Sequence, residues 1–163
     1  MEIVPATLAD WPDIEQIYRE GIRTKMATFE KEEELPTGEK WFSSKMENLT
    51  FKAIDDDGKL LGFATCTAVS NRCVYTGVAE VSVYVTNAAK RQGIGFALLN
   101  HLIDASEKAG LWTLQAGIFA KNEASIKLHH KAGFRTVGIR EKIGQLDGVW
   151  LDTALLERRS TKI

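Results

Sequence analysis

Glu80-Val81-Ser82-Val83-Tyr84-Val85 runs into Lys90-Arg91-Gln92-Gly93-Ile94-Gly95-Phe96, and a helical apolar pattern follows at once. A strand, a basic glycine loop and a helix N-terminus in that order aim main-chain N–H groups and a helix dipole at one spot, which suits a phosphate. The loop is not a Walker P-loop, because no Gly-Lys-Ser/Thr sits at the required offset. Nor is it a dinucleotide fingerprint: Leu98 stands where the third glycine belongs, and the strand about 20 residues on ends without an acid.

The elements that must carry this loop are legible from periodicity. Ile3-Val4 starts a strand, and Asp10 is placed to cap a helix whose apolar positions Ile14, Ile17, Tyr18 and Ile22 follow a 3.6 period. Residues 30 to 40 read as a charged loop whose acid run is a solvated surface, ending in a short helix around Trp41 to Met46. Phe51 to Ile54 and Leu60 to Cys66 flank Asp55-Asp56-Asp57-Gly58, a hairpin signal, and Val78 to Val85 is the next strand. A helix from Phe96 to Ala109 carries Leu98, Leu99, Leu102 and Ile103 on one face and stops at Gly110. Thr113 to Ile118 is a strand. Asn122 caps a helix through Lys131 that Gly133 closes. Phe134 to Ile143 and Val149 to Leu156 are strands joined by Asp147-Gly148. With no repeat, linker or low-complexity stretch, residues 1 to 163 read as a single mixed α/β (α+β) domain.

Composition narrows the partners. A formal net charge of −1 argues against a nucleic-acid binder, which needs a basic face to displace counterions. Met1-Glu2-Ile3-Val4 lacks a basic n-region, and no long apolar run occurs, so neither a signal peptide nor a membrane span is expected and the address is the cytoplasm. Cys66 and Cys73 lack metal or redox spacing and read as reduced thiols. His129 and His130 point about 100° apart on a helix, and His101 is remote in sequence, so no metal is expected. Trp11, Trp41, Trp112 and Trp150 are too scattered for a base-stacking platform and read as core or interface packing.

The strand Val81-Ser82-Val83-Tyr84-Val85 followed by a basic-x-x-Gly-x-Gly loop resembles motif A of the Gcn5-related N-acetyltransferases (GNAT), with Lys90 where Gln or Arg usually opens the motif. Asn122-x-x-Ser125-x-x-Leu128-His129 and Ala132-Gly133-Phe134 are similar to the family's second CoA-contacting helix. Within the family, Thr28-Phe29, Arg72-x-x-Tyr75, Ala79-Glu80, Val83-Tyr84-Val85 and Trp150-x-Asp152 resemble the phosphinothricin and methionine sulfoximine acetyltransferases over nearly the whole chain. The resemblance implies a mixed, mostly antiparallel sheet of about seven strands, splayed at the cofactor strand and flanked by about four helices.

It also implies roles. Arg91, Gln92, Gly93, Ile94, Gly95 and Phe96 bind the pyrophosphate of acetyl-CoA, Val83, Tyr84 and Val85 pair with the pantetheine arm, and Asn122 and Ser125 contact it. Transfer of an acetyl group to an amine needs a neutral nitrogen, so a base is required, and Glu80 resembles that base. Alternation puts Glu80, Ser82 and Tyr84 on one face. The plain alternative for Glu80 is a strand carboxylate in an exposed ion pair, worth at most about 1 kcal/mol. His129 resembles a second functional histidine, able to protonate the thiolate or relay the amine's proton; the plain alternative is a packed helix residue. Strand amides near Val83 and Tyr84 are the implied oxyanion donors.

For an amino-acid acceptor, Arg72 is the candidate carboxylate grip. Phe29, Cys73, Val74 and Tyr75 are the implied pocket, in which the small Cys73 and Val74 alter its shape. Neither cysteine has a neighbour that lowers its pKa, so direct attack in a ternary complex is preferred to a covalent route. The expected reaction is acetylation of the α-amino group of a small amino-acid analogue, with a homodimer implied by resemblance. A GNAT enzyme for a polyamine, a peptide N-terminus or an antibiotic amine is the competing reading, and a CoA-binding module with a dead site is the non-enzymatic one.

Overall fold

Two sets of alternating side chains on the central strands decide how the helices pack. The computed structural model describes residues 1–163. The strands β1 (Glu2–Pro5), β2 (Thr50–Ile54), β3 (Leu60–Ala68), β4 (Val78–Val85), β5 (Thr113–Phe119), β6 (Arg135–Leu146) and β7 (Val149–Arg159) form one seven-stranded sheet ordered β1-β2-β3-β4-β5-β7-β6. The helices are α1 (Trp11–Arg23), α2 (Gly38–Ser43), α3 (Ile94–Lys108) and α4 (Glu123–Lys131). Every neighbouring pair is antiparallel except β4 and β5. The expected class, strand number and helix number are all present.

In β3 and β4, Ala64, Cys66, Ala79 and Val81 face one way and pack on Leu98, Leu99 and Leu102 of α3, which have no exposed surface. Phe63 and Tyr84 face the other way and pack with Ile14 and Ile17 of α1 and Trp41 of α2. Removing any one of the three leucines leaves a cavity that close-packed neighbours cannot fill, at a cost of about 3–5 kcal/mol.

Several local expectations are corrected. Asp10 stands at the N-cap position of α1 but its carboxylate caps nothing there; it accepts from Thr7 N–H at 2.8 Å and from Lys52 Nζ at 2.6 Å. The second helix lies earlier than Trp41 to Met46, because Thr37 Oγ1 accepts from Lys40 N–H and starts it at Gly38. Helix α3 begins at Ile94, with Gly93 as its N-cap. Strands β6 and β7 are longer than expected, and the bulge between Arg140 and Gly144 is held by Asp152, whose carboxylate accepts from Lys142 N–H at 2.8 Å. The acid run is not all solvated, since Glu32 bridges Arg19 and Arg23. Trp41 is buried, whereas Trp150 is 55% exposed and packs in no core.

The chain end is tied to α3 by an ionic clasp. Glu107 accepts from Arg158 at 3.0 Å, Ser160 Oγ at 2.9 Å and Lys162 at 2.8 Å. Hydrogen bonding from Lys162 holds its carboxyl down at about 2, against a burial effect in the opposite direction. Because the folded value lies below the unfolded one of 4.5, this stabilisation is complete above pH 4.5 and disappears as pH falls toward 2. Glu107→Gln is expected to cost about 2 kcal/mol at pH 7, lowering Tm by roughly 4–8 °C, with the difference from wild type vanishing in acid melts. Thermal melts across pH 2 to 7 check it.

Candidate functional site

Strands β4 and β5 pair only through Val78–Thr113, Ala79–Leu114 and Glu80–Gln115, and then part. On its other side β4 stays paired with β3 as far as Val85–Gly62. The Val81–Val85 segment therefore has a main-chain edge without a strand partner, open to an extended ligand that can hydrogen-bond as a strand would. A cleft lies in the opening, lined by Met26, Ala27, Val81 to Tyr84, Ala116 to Ile118, Asn122, Ser125 and His129.

At the outer end of β4 the chain turns into α3. Gly93 adopts φ 78°, and no side chain caps the helix, so the amides of Ile94, Gly95 and Phe96 lack a carbonyl one turn back. Arg91, Gln92 and Gly93 are exposed, and a Cβ added at Gly93 would meet nothing within 4 Å. Ile94 buries its side chain in the core, so only its main chain faces the loop. Lys90 and Arg91 enter no salt bridge, and Lys131 of α4 lies 4.4 Å over the Phe96 ring. The result is an open, unsaturated donor nest with a cationic rim, which fits a diphosphate. Glu20 of α1 fixes where the turn begins, accepting from Asn87 N–H at 2.7 Å and Thr86 Oγ1 at 3.1 Å. Sequence gave no signal for that residue.

At the inner end of the cleft stands Glu80, in the last β4–β5 pair. Its Oε1 leans on Gly117, where an added Cβ would lie 3.3 Å away. The close approach requires a residue without a side chain there. No Lys or Arg forms a salt bridge with Glu80. His129, 5% exposed, also lines the cleft. Burial lowers its pKa, and Nδ1 lies 2.7 Å from the Ser125 carbonyl. A carbonyl only accepts, so Nδ1 carries the proton and Nε2 presents a lone pair. In this state His129 takes a proton rather than gives one.

Asn122 does two jobs. Its Oδ1 accepts from Ser125 N–H at 3.2 Å, capping α4, and its Nδ2 donates to the Met26 carbonyl at 3.0 Å, tying α4 to the segment after α1. That segment carries Phe29, which packs edge-on against Phe119 at 4.7 Å and walls the Glu80 side of the sheet. Tyr84 stacks on Phe63, and burial raises the pKa of its hydroxyl.

The other expected acceptor residues lie elsewhere. Arg72, Cys73, Val74 and Tyr75 form an exposed loop between β3 and β4, with the Arg72 guanidinium 5.6 Å over the Tyr75 ring. None of the four lines the cleft. Lys45, which spacing alone did not single out, is half-buried with Nζ 4.7 Å over the Trp41 ring, and the charges of Glu30 and Glu80 reach it. Cys66 is buried, with its thiol pushed up to about 12, and Cys73 is exposed.

A family model described as an acetyltransferase (GNAT) domain matches residues 3–155. A phosphinothricin N-acetyltransferase of Alcaligenes faecalis is 35% identical, over 91% of this chain and 77% of that protein. An L-methionine sulfoximine/L-methionine sulfone acetyltransferase of Pseudomonas aeruginosa is 32% identical, over 93% of this chain and 90% of that protein. The crystal structure of a GNAT superfamily phosphinothricin acetyltransferase from Sinorhizobium meliloti in complex with AcCoA superposes with a TM-score of 0.89 at 32% identity, covering 99% of this chain and 91% of that one.

Proposed function

This chain belongs to the acetyltransferase (GNAT) family and is an acetyl-CoA-dependent N-acetyltransferase, and from that premise we propose that it acetylates the α-amino group of a small amino-acid analogue of the phosphinothricin or methionine sulfoximine kind. The observation that carries the proposal is the placement of Glu80. It is a carboxylate without a cationic partner, at the point where the β4 edge parts from β5.

In this reading the amides of Ile94 to Phe96 hold the diphosphate, with Arg91 and Gln92 at the rim. The free edge of Val83 to Val85 pairs with the pantetheine amides, beside Asn122 and Ser125, and delivers the thioester toward Glu80. Glu80 takes the proton from the ammonium, directly or through one water, and leaves a lone pair for attack on the thioester carbonyl. Amides of the same edge stabilise the oxyanion. The neutral His129 serves as second proton acceptor, its Nε2 free because Nδ1 is committed to Ser125.

Release of free CoA thiol against a panel of amines tests the acceptor. Turnover of phosphinothricin and methionine sulfone above polyamines and peptides is the expected result. Exclusive turnover of polyamines or peptide N-termini assigns the chain to another acceptor class. We also propose a cytoplasmic homodimer. Its support is the exposed apolar surface of the C-terminal hairpin, where Ile139, Ile143, Val149 and Trp150 are 45 to 58% exposed. A monomeric mass by light scattering at micromolar concentration rules the dimer out. No helix is long and apolar enough to cross a membrane.

A further inference from the structure

We propose that Lys45 is the oxyanion receptor of the acceptor site, its ammonium pairing with an anionic group of the amine substrate beside Glu80. The inference rests on the reading that Glu80 marks where the acceptor amine lies.

The cations elsewhere on this face are satisfied. Lys52 is paired with Asp10, and Arg19 and Arg23 with Glu32. Lys45 differs. Its stem is half-buried and its Nζ is set over the Trp41 ring, yet Nζ enters neither a salt bridge nor a hydrogen bond. The ring face partly offsets lost hydration and fixes the ammonium's position without using its three donors. Burial lowers its pKa, while Glu30 and Glu80 act in the opposite sense. An oxyanion brought next to it removes the same penalty more fully.

The charge arrangement matches a zwitterion. Two carboxylates, Glu30 and Glu80, attract the substrate ammonium, and one ammonium, Lys45, stands within reach of their fields to receive the negative group that an amino acid carries beside or beyond its amine. An uncharged amine gains nothing from Lys45, and a polyamine is repelled by it. Arg72 is less suited to this task at Glu80, because it sits on an exposed loop, stacked on its own Tyr75.

The test uses steady-state kinetics on the full chain with three probes. These are phosphinothricin, its α-carboxamide, which lacks the carboxylate, and norvaline, which lacks the phosphinyl group; Ki replaces kcat/KM for a probe acetylated too slowly. Lys45→Met is expected to lower kcat/KM for phosphinothricin roughly 10- to 100-fold. It should lower it similarly for whichever truncated probe keeps the paired oxyanion, and leave the other probe and the KM for acetyl-CoA unchanged. Loss confined to phosphinothricin and norvaline identifies the carboxylate; loss confined to phosphinothricin and the carboxamide identifies the phosphinyl group. Lys45→Arg should restore most of the loss, which separates charge from packing on Trp41. Equal loss on all three probes, or none on any, overturns the proposal. Full kcat in Glu80→Gln overturns the base assignment instead, while the probe discrimination at Lys45 remains. Turnover only of amines without any oxyanion overturns both.

Discussion

Glu80→Gln should lower kcat about 100- to 1000-fold while leaving the affinity for acetyl-CoA unchanged, the split expected of a residue that acts on the amine and not on the cofactor. The amide is nearly isosteric, so the contact with Gly117 survives and the β4–β5 pair at Glu80–Gln115 is undisturbed. What disappears is an acceptor for the ammonium proton. Raising the pH toward the pKa of the free amine supplies neutral nucleophile from solution, so the defect should shrink in alkaline buffer. A stability change cannot mimic this, because it does not depend on the protonation of the acceptor. The thiol-release rate and CoA titration together check it. An unaltered kcat moves the base to His129, whose Nε2 lone pair is the other acceptor in the cleft.

The parts of this architecture that sequence discloses are those encoded by local repetition. Leu98, Leu99, Leu102 and Ile103 recur at the helical period, and they do face the sheet. The alternation from Ala79 to Val85 does separate Val81 from Tyr84 onto opposite faces. The glycine loop was readable because an unusual backbone needs an unusual residue, and Gly93 does adopt positive φ. Asp10 misled because aspartate before an apolar period also suits an ion pair, and Lys52, 42 residues away in sequence, claims it. Trp150 misled in the other direction: its size suggests burial, but its hairpin is the sheet's outer edge. Lys45 and Glu20 were invisible for a different reason. Each depends on a partner from another element, Trp41 and the start of the turn at Thr86 respectively, and a single charged residue on a surface helix or after one carries no period. Arg72 was chosen for its chemistry, correctly in type, before any geometry could show the loop it stands on.

Gly93→Glu is expected to weaken CoA binding more than about 100-fold, because it opposes the diphosphate twice. The position has φ 78°, so any L side chain there is strained by about 1–2 kcal/mol and pulls the turn away from its donor geometry. The glutamate then sets a carboxylate beside two phosphates at the positive end of α3, where the dipole and the free amides otherwise favour anions. Gly93→Ala separates the two effects. It carries the strain alone, and since the new methyl meets nothing within 4 Å, the fold is not disturbed by a clash. The difference between the variants is the electrostatic part, and it should diminish at high salt. Pantetheine lacks the diphosphate and should bind both variants as it binds the wild type, through the β4 edge alone. Equal loss for CoA and pantetheine means the turn supports the edge rather than the phosphates, and undiminished CoA affinity in Gly93→Glu removes the loop from the site altogether.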